Sequence, residues 1–321
     1  MGKTREIAGD FPPRPDWSSW RRLAGNEKLS APVLAETLDG GQAFRWQRQP
    51  DGSWRGLWSN HVVELRGTLD GTVEWSAPSV VASRVEVALP KYWGAPHHFD
   101  QLADQLPWRS DAHLAACLAA FPGLRILRQP FGETLLGFLC SATKQIVQIK
   151  QMVSLLAVRH GAPIAASSTP LAGAVPAVDA THFHQLPTWE EIAQIPEATL
   201  RGCLLGFRAR YIAETSRYIA AHPGWLEETE AMPYAAAKAR LCSLPGVGEK
   251  VADCVLLFGA GRLEAFPVDV WILKTMARRY GLDDWRPAQV AHFGRLHFGP
   301  LAGLAQQYLF AWERRAAKNK E

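Results

Sequence analysis

Between about residues 30 and 90, apolar and polar positions alternate in short runs: QAFRWQRQ, SWRGLWS, HVVELRG and TVEWSA. A period of two belongs to a strand with one buried face. Asp51-Gly52 and Asp70-Gly71 separate neighbouring runs, and Asp-Gly between such runs signals a hairpin. The pattern predicts an antiparallel sheet. After Pro90 the spacing becomes helical. ETLLGFLCSATKQIVQIKQMVSLLAVRHG (133–161) has apolar residues at helical spacing, and more helices are predicted near 188–195, 197–204, 207–222, 234–243, 249–258, 269–281, 287–294 and 299–317. A Pro/Ala/Ser-rich stretch at 162–178 predicts a linker or long loop, and the Pro- and charge-rich residues 1–20 predict a flexible arm. The expected class is α+β: the arm at 1–20, an N-terminal antiparallel β domain with helices at 21–129, and a mainly helical region at 130–321.

Composition narrows the class of function. The chain has 321 residues, 47% of them hydrophobic and 21% charged, as in a globular protein with a large core. A net charge of +4 is compatible with nucleic acid without pointing to it. The first ten residues lack the apolar core of a signal peptide, and no apolar run reaches the roughly 18 residues of a membrane span. The expected compartment is the cytoplasm, or the nucleus if the cell has one. Cys117, Cys140, Cys203, Cys242 and Cys254 form no C-x-x-C pair, so reduced thiols are expected, with no zinc and no iron–sulfur cluster. His97-His98 and His182-x-His184 lack a third ligand at a sensible spacing and read as structural or surface residues.

The segment LPGVGEKVADC (244–254) carries the chemistry. A phosphate loop needs G-x-x-x-x-G-K-[ST], and a dinucleotide fingerprint needs a third glycine after a strand; both fail here. What remains is a tight glycine turn between helices. Such a turn presents backbone N–H groups that can hold a nucleic-acid phosphate without reading sequence. On the turn alone, a phosphate clamp and a plain helix corner are both open. Lys250 sits in the first turn of a predicted helix, where the macrodipole disfavours its charge. Asp269, 269 − 250 = 19 residues on, is placed to cap the next helix. If the two helices pack side by side, an amine and a carboxylate face one cleft. A helix N-terminus and desolvation favour a free amine, and a carboxylate steadies a developing cation. The pair suits attack on a sugar carbon with oxocarbenium character.

At these residues the chain resembles the helix–hairpin–helix DNA glycosylases, and more narrowly the 8-oxoguanine DNA glycosylases of eukaryote-like type. GGQAFRW (40–46), LRQPFGETLLGFLCSATKQI (127–146), LGFRARYI (205–212) and GPLAGLAQQYLF (299–310) match in order, alongside LPGVGEK and PVDV. The hairpin alone is moderately specific; the ordered set is highly so. The resemblance implies an active-site cleft between the β domain and the helical region. It implies Lys250 as nucleophile and Asp269 as its carboxylate partner. It implies that Phe310 and Cys254 sandwich a flipped base, that Gln306 bonds its Watson–Crick edge, and that the Gly41 carbonyl accepts from N7–H. It further implies DNA contacts at Gly246, Val247 and Gly248, and a monovalent cation on the carbonyls of Cys242, Leu244 and Val247, with no cofactor required. The implied partner is duplex DNA containing oxidised guanine, met by a monomer with no membrane involved.

Four positions depart from the family pattern. Thr143 replaces an asparagine and Gln148 an arginine in the pocket for the base opposite the lesion, while Arg208 is kept beside Phe207 instead of a tyrosine. Trp271 replaces a phosphate-contacting histidine. Weaker cytosine selectivity is expected. By residue type each site residue also has a plainer role: Phe310 and Cys254 as core, Gln306 as a helix face, Gly41 as a turn, Asp269 as a cap. A DNA-binding module without chemistry, and a glycosylase for a mismatched or alkylated base, are the alternatives. The Lys250/Asp269 pair argues against the first, and Gln306 with Gly41 against the second.

Overall fold

The computed structural model describes residues 16–24, 28–164 and 183–318. Residues 1–15 of the predicted arm, 165–178 of the predicted linker, and His182 lie outside them.

The sheet is antiparallel in the order β1-β5-β4-β3-β2, built from β1 (Arg21–Arg22), β2 (Trp46–Arg48), β3 (Trp54–Trp58), β4 (His61–Gly67) and β5 (Val73–Ser76). Both Asp-Gly turns form as read. Gly52 and Gly71 each have φ +85°, and each preceding aspartate accepts the N–H two residues on. In β3 the inward set is Trp54, Gly56 and Trp58. Gly56 is required because a Cβ there would lie 2.5 Å from the Trp46 ring on β2. β4 is buried on both faces, so Glu64 comes inside and is satisfied by Arg55 at 2.6 Å. The predicted arm needs correction at its end. Trp17 bridges Pro78, and the Ser18 N–H donates to the Ala77 carbonyl, so 16–20 lies along the sheet.

The N-terminal β region also holds α1 (Ala31–Asp39), started by Ser30 and Pro32, and α2 (Ala82–Tyr92), whose Val85 and Leu89 are fully buried. α3 (Phe99–Asp104) and α4 (Ala112–Ala120) follow. The run 133–161 is two helices, α5 (Phe131–Leu139) and α6 (Ile146–His160). The break contains Thr143 at φ +55°, a left-handed conformation that no helix continues through. A two-stranded ribbon, β6 (Pro163–Ile164) with β7 (Phe183–His184), leads to α7 (Trp189–Ala193), α8 (Glu197–Leu200) and a kinked turn. Then come α9 (Arg208–Ala220), α10 (Trp225–Ala231), α11 (Tyr234–Cys242), α12 (Glu249–Phe258), α13 (Val270–Tyr280), α14 (Pro287–Phe298) and α15 (Ala302–Lys318). No helix among the described residues is long and apolar enough to cross a membrane.

α12 is the centre of the helical part, buried continuously from Val251 to Phe258. α15 packs against α4, α13 and α14, tying the chain's end to the sheet-bearing half. Buried Gln42 stitches the turn after α1 to the segment before α5. Its amide donates to the Arg125 carbonyl at 2.8 Å and accepts from Leu127 N–H at 3.0 Å. Gln129 donates back to the Gln42 carbonyl at 2.7 Å, and its own N–H bonds the Phe258 carbonyl at 2.8 Å. The turn at Gly41 is thereby fixed relative to the end of α12.

Candidate active site

Gly41, Lys250, Cys254, Asp269, Gln306 and Phe310 all line one recess, together with Phe138, Phe258, Pro267 and Gln307. The space between them amounts to about 340 Å³, open solvent included. Lys250 and Cys254 stand one turn apart on α12, so helical geometry aims both the same way. Asp269 caps α13, accepting the Ile272 N–H at 2.8 Å. Gln306 and Phe310 are likewise one turn apart on α15. Gly41 needs its glycine: at φ +99° a Cβ would be strained and would lie 3.0 Å from Ile146.

The Lys250 amine lies 3.4 Å from the Ser141 hydroxyl and 5.2 Å from the centre of the Phe138 ring. Ser141 donates its own proton to the Phe138 carbonyl at 2.7 Å. Its oxygen is thus left to accept, and it orients the amine. Burial raises the Asp269 carboxyl above its ordinary range, opposed by the Ile272 N–H and by the Lys250 charge. Burial likewise pushes the Cys254 thiol up to about 12, against the pull of Lys250. The thiol stays protonated at neutral pH. The Gln307 amide donates to Gln306 Oε1 at 2.7 Å, fixing the orientation of Gln306.

At the hairpin, Gly246 has φ +78°, and a Cβ would come 2.6 Å from the Tyr211 ring. Gly248 precedes α12 with no side-chain cap, and both glycines are exposed. The first N–H groups of α12 therefore lack helical partners and face outward. Val247 N–H donates to the Leu244 carbonyl at 3.2 Å, closing the turn in which Cys242 is half-buried and Leu244 and Val247 are buried. Arg208 bonds Thr143 Oγ1 at 2.9 Å and also the Ala142 carbonyl. Gln148 and Trp271 lie outside the recess lining. Gln148 caps α6, and Trp271 stands 40% exposed in the first turn of α13.

Two family profiles match in order. The "8-oxoguanine DNA glycosylase, N-terminal domain" covers residues 26–135, and the "HhH-GPD superfamily base excision DNA repair protein" covers 163–295. The N-glycosylase/DNA lyase OGG1 of Arabidopsis thaliana is 30% identical over 302 residues, spanning 89% of this chain and 78% of that protein. The chain belongs to the 8-oxoguanine DNA glycosylase family. Solved glycosylase structures share its whole architecture. MBOgg1 in complex with a low-affinity DNA ligand has a TM-score of 0.80 at 28% identity, over 95% of this chain and 98% of that one. The Clostridium acetobutylicum 8-oxoguanine glycosylase/lyase, bound to duplex DNA with cytosine opposite 8-oxoG, has 0.77 at 27%, over 94% and 99%.

Within this glycosylase, sequence reasoning did not single out Ser141, Phe138, Phe258, Pro267 or Gln307. Phe138 and Ser141 end a helix that the apolar pattern ran straight through. Ser141→Ala removes the one hydroxyl bonded to the Lys250 amine. We expect single-turnover excision at saturating DNA to slow by about tenfold, the size of one neutral hydrogen bond, with DNA affinity unchanged.

Proposed function

We propose that this chain is a base-excision repair glycosylase and lyase that takes an 8-oxoguanine nucleotide, flipped out of duplex DNA, into the recess of Lys250 and Asp269. The convergence of that amine and carboxylate with Cys254, Gln306, Phe310 and the Gly41 turn carries the reading. A base inside a stacked duplex is out of reach, so extrusion precedes chemistry, at roughly a few kcal/mol. Phe310 and Cys254 sandwich the base, and Gln306 bonds its Watson–Crick edge. The Gly41 carbonyl accepts from N7–H, a hydrogen that guanine lacks. Rejecting guanine then follows from the polar group it would leave unpaired.

In the reaction, the Lys250 amine gives up a proton and attacks C1′. The glycosidic bond breaks with its electron pair passing to the base, which takes up a proton. The sugar ring opens to a Schiff base on Lys250. Loss of the C2′ proton then expels the 3′ phosphate by β-elimination and nicks the strand. Asp269 steadies the cationic sugar and exchanges protons with it. The hairpin amides at Gly246 and Gly248 hold a backbone phosphate, the Val247 N–H being committed to the Leu244 carbonyl, and the carbonyls of Cys242, Leu244 and Val247 offer an oxygen set suited to a monovalent cation there. Trp271, half-exposed in the first turn of α13, packs beside the DNA strand. One chain completes the recess, which suits a monomer acting wherever DNA is kept.

Base release from duplexes carrying 8-oxoguanine, alkylated purines or mismatched adenine tests this. Release of 8-oxoguanine alone is expected; release of another base and not 8-oxoguanine would overturn it. A pH effect follows from Asp269. Its carboxyl titrates above the ordinary carboxylate value of about 3.9, and protonation removes the charge that steadies the sugar. The acid limb of the excision rate should therefore begin higher than an unperturbed aspartate predicts, as measured on lesion duplex from pH 4 to 8.

A further inference from the structure

A single acceptor that tells one base from another has to be held closely in place. The turn at Gly41 is held on one flank by Gln42 and Gln129. On the other flank stand Gly40 and Gly41, at the end of α1, and glycine is the residue whose backbone rotates most freely.

Two carboxylates close α1, Glu36 and Asp39. A helix C-terminus carries partial negative charge, so both are badly placed there, and no basic residue lies in that last turn. Other helices supply the cations. Arg314 of α15 pairs with Glu36 at 2.7 Å, and the same guanidinium reaches the Asp39 carbonyl at 3.5 Å. Lys150 of α6 pairs with Asp39 at 2.7 Å. The Arg314 and Glu36 side chains are only 15% and 16% exposed, so solvent and salt screen this pair less than a surface one. Gly40 makes room for it, because a Cβ there would lie 2.6 Å from Glu36 Oε1.

Arg314 also touches the opposite wall of the recess. It stands one turn after Phe310 on α15, and its guanidinium carbon lies 5.7 Å from the centre of the Phe310 ring, within cation–π range. From the other side, a Cβ on Gly41 would lie 3.8 Å from the same ring. One side chain therefore joins the turn to the aromatic wall. Neither Arg314 nor Glu36 lines the recess, so the guanidinium acts through the turn and not on a bound base.

We propose, resting on the glycosylase reading above, that Arg314 is a positioning residue for lesion specificity: through Glu36 and the Asp39 carbonyl it locks the Gly41 turn against Phe310. The Gly41 carbonyl is then aimed before the base arrives, and the bond to N7–H forms at full strength. Guanine, with a lone pair at N7, meets an acceptor that cannot swing aside. Without Arg314 the two glycines let the carbonyl turn, and that bond is lost.

The test is duplex affinity by fluorescence anisotropy in a Lys250→Gln background, which leaves the lesion uncleaved. Arg314→Met should lower the preference for 8-oxoguanine duplex over undamaged duplex by about tenfold, the size of one hydrogen bond. Affinity for undamaged duplex, set by backbone contacts, should not change. A duplex carrying 8-methoxyguanine, whose N7 bears no hydrogen, should bind both chains equally. Glu36→Ala should match Arg314→Met, and the two together should do no more than either alone. A fall of less than about threefold, an equal fall for 8-methoxyguanine, or losses that multiply in the double variant overturns the proposal. A preference for 8-oxoguanine that both single variants leave unmoved sinks this inference and leaves the glycosylase reading intact; no preference before Arg314 is touched sinks both.

Discussion

Lys250→Gln should abolish the covalent adduct that borohydride traps between this enzyme and lesion-bearing duplex, and lower base release by a factor on the order of 10⁴ or more. An imine needs a primary amine. Glutamine is neutral, similar in reach and able to donate to Ser141, so the α12 turn and its packing should persist. The loss would then fall on the chemical step alone. Cys254 cannot take over, because burial pushes its thiol up to about 12 and keeps it protonated. Affinity for lesion duplex, measured by fluorescence anisotropy, should stay near that of the native chain, since the proposed phosphate clamp is the hairpin and not the Lys250 side chain. A surviving adduct would mean that another amine is the nucleophile, and the recess would lose its assigned role.

The parts of this enzyme that could be read from sequence are those whose information is local. The strands announce themselves by alternation and by Asp-Gly turns whose residues serve the turn directly. Lys250 and Asp269 are legible because a glycine hairpin and a capping aspartate each mark a helix start within a few residues. α1 leaves little periodic trace because APVLAETLD is nine residues long and sits among strands, although Ser30 and Pro32 signal its start. α10 is seven residues long and mostly polar, and its apolar contacts are too few to make a periodic stripe. The break at Thr143 is illegible for a different reason. CSATKQ has no glycine or proline, and what holds the turn open is Arg208, which bonds it from 65 residues away. The same holds for Gln42 and Gln129, whose amides position the Gly41 turn by bonding backbone 83 and 87 residues distant. Long-range bonds from side chain to backbone leave no period in the sequence.

Asp269→Asn should separate catalysis from stability. Asparagine is as good an N-cap as aspartate, so the bond to the Ile272 N–H can be kept and α13 should still start at the same residue. What is lost is the negative charge facing the cationic sugar. Removing one preorganised stabiliser of transition-state charge costs on the order of 10²- to 10³-fold in rate, and that is the expected fall in single-turnover excision. Stability should move the other way. The folded-state pKa of Asp269 lies above its unfolded value because burial opposes ionisation. The folded chain therefore binds this proton more tightly, and stability falls as pH rises through the range where the carboxyl ionises. At neutral pH the ionised carboxylate is a cost that the neutral amide does not carry. The variant should melt no lower than the native chain at pH 7, and this advantage should disappear as pH falls below the ordinary carboxylate value of about 3.9, where the carboxyl is protonated in the folded and the unfolded chain alike. Asp269→Ala supplies the contrast. It loses the charge and the cap together, and should be less stable than Asp269→Asn at every pH by about 1 kcal/mol. If Asp269→Asn excises at the native rate, the carboxylate is only a helix cap, and the account of Lys250 acting beside an anionic partner fails with it.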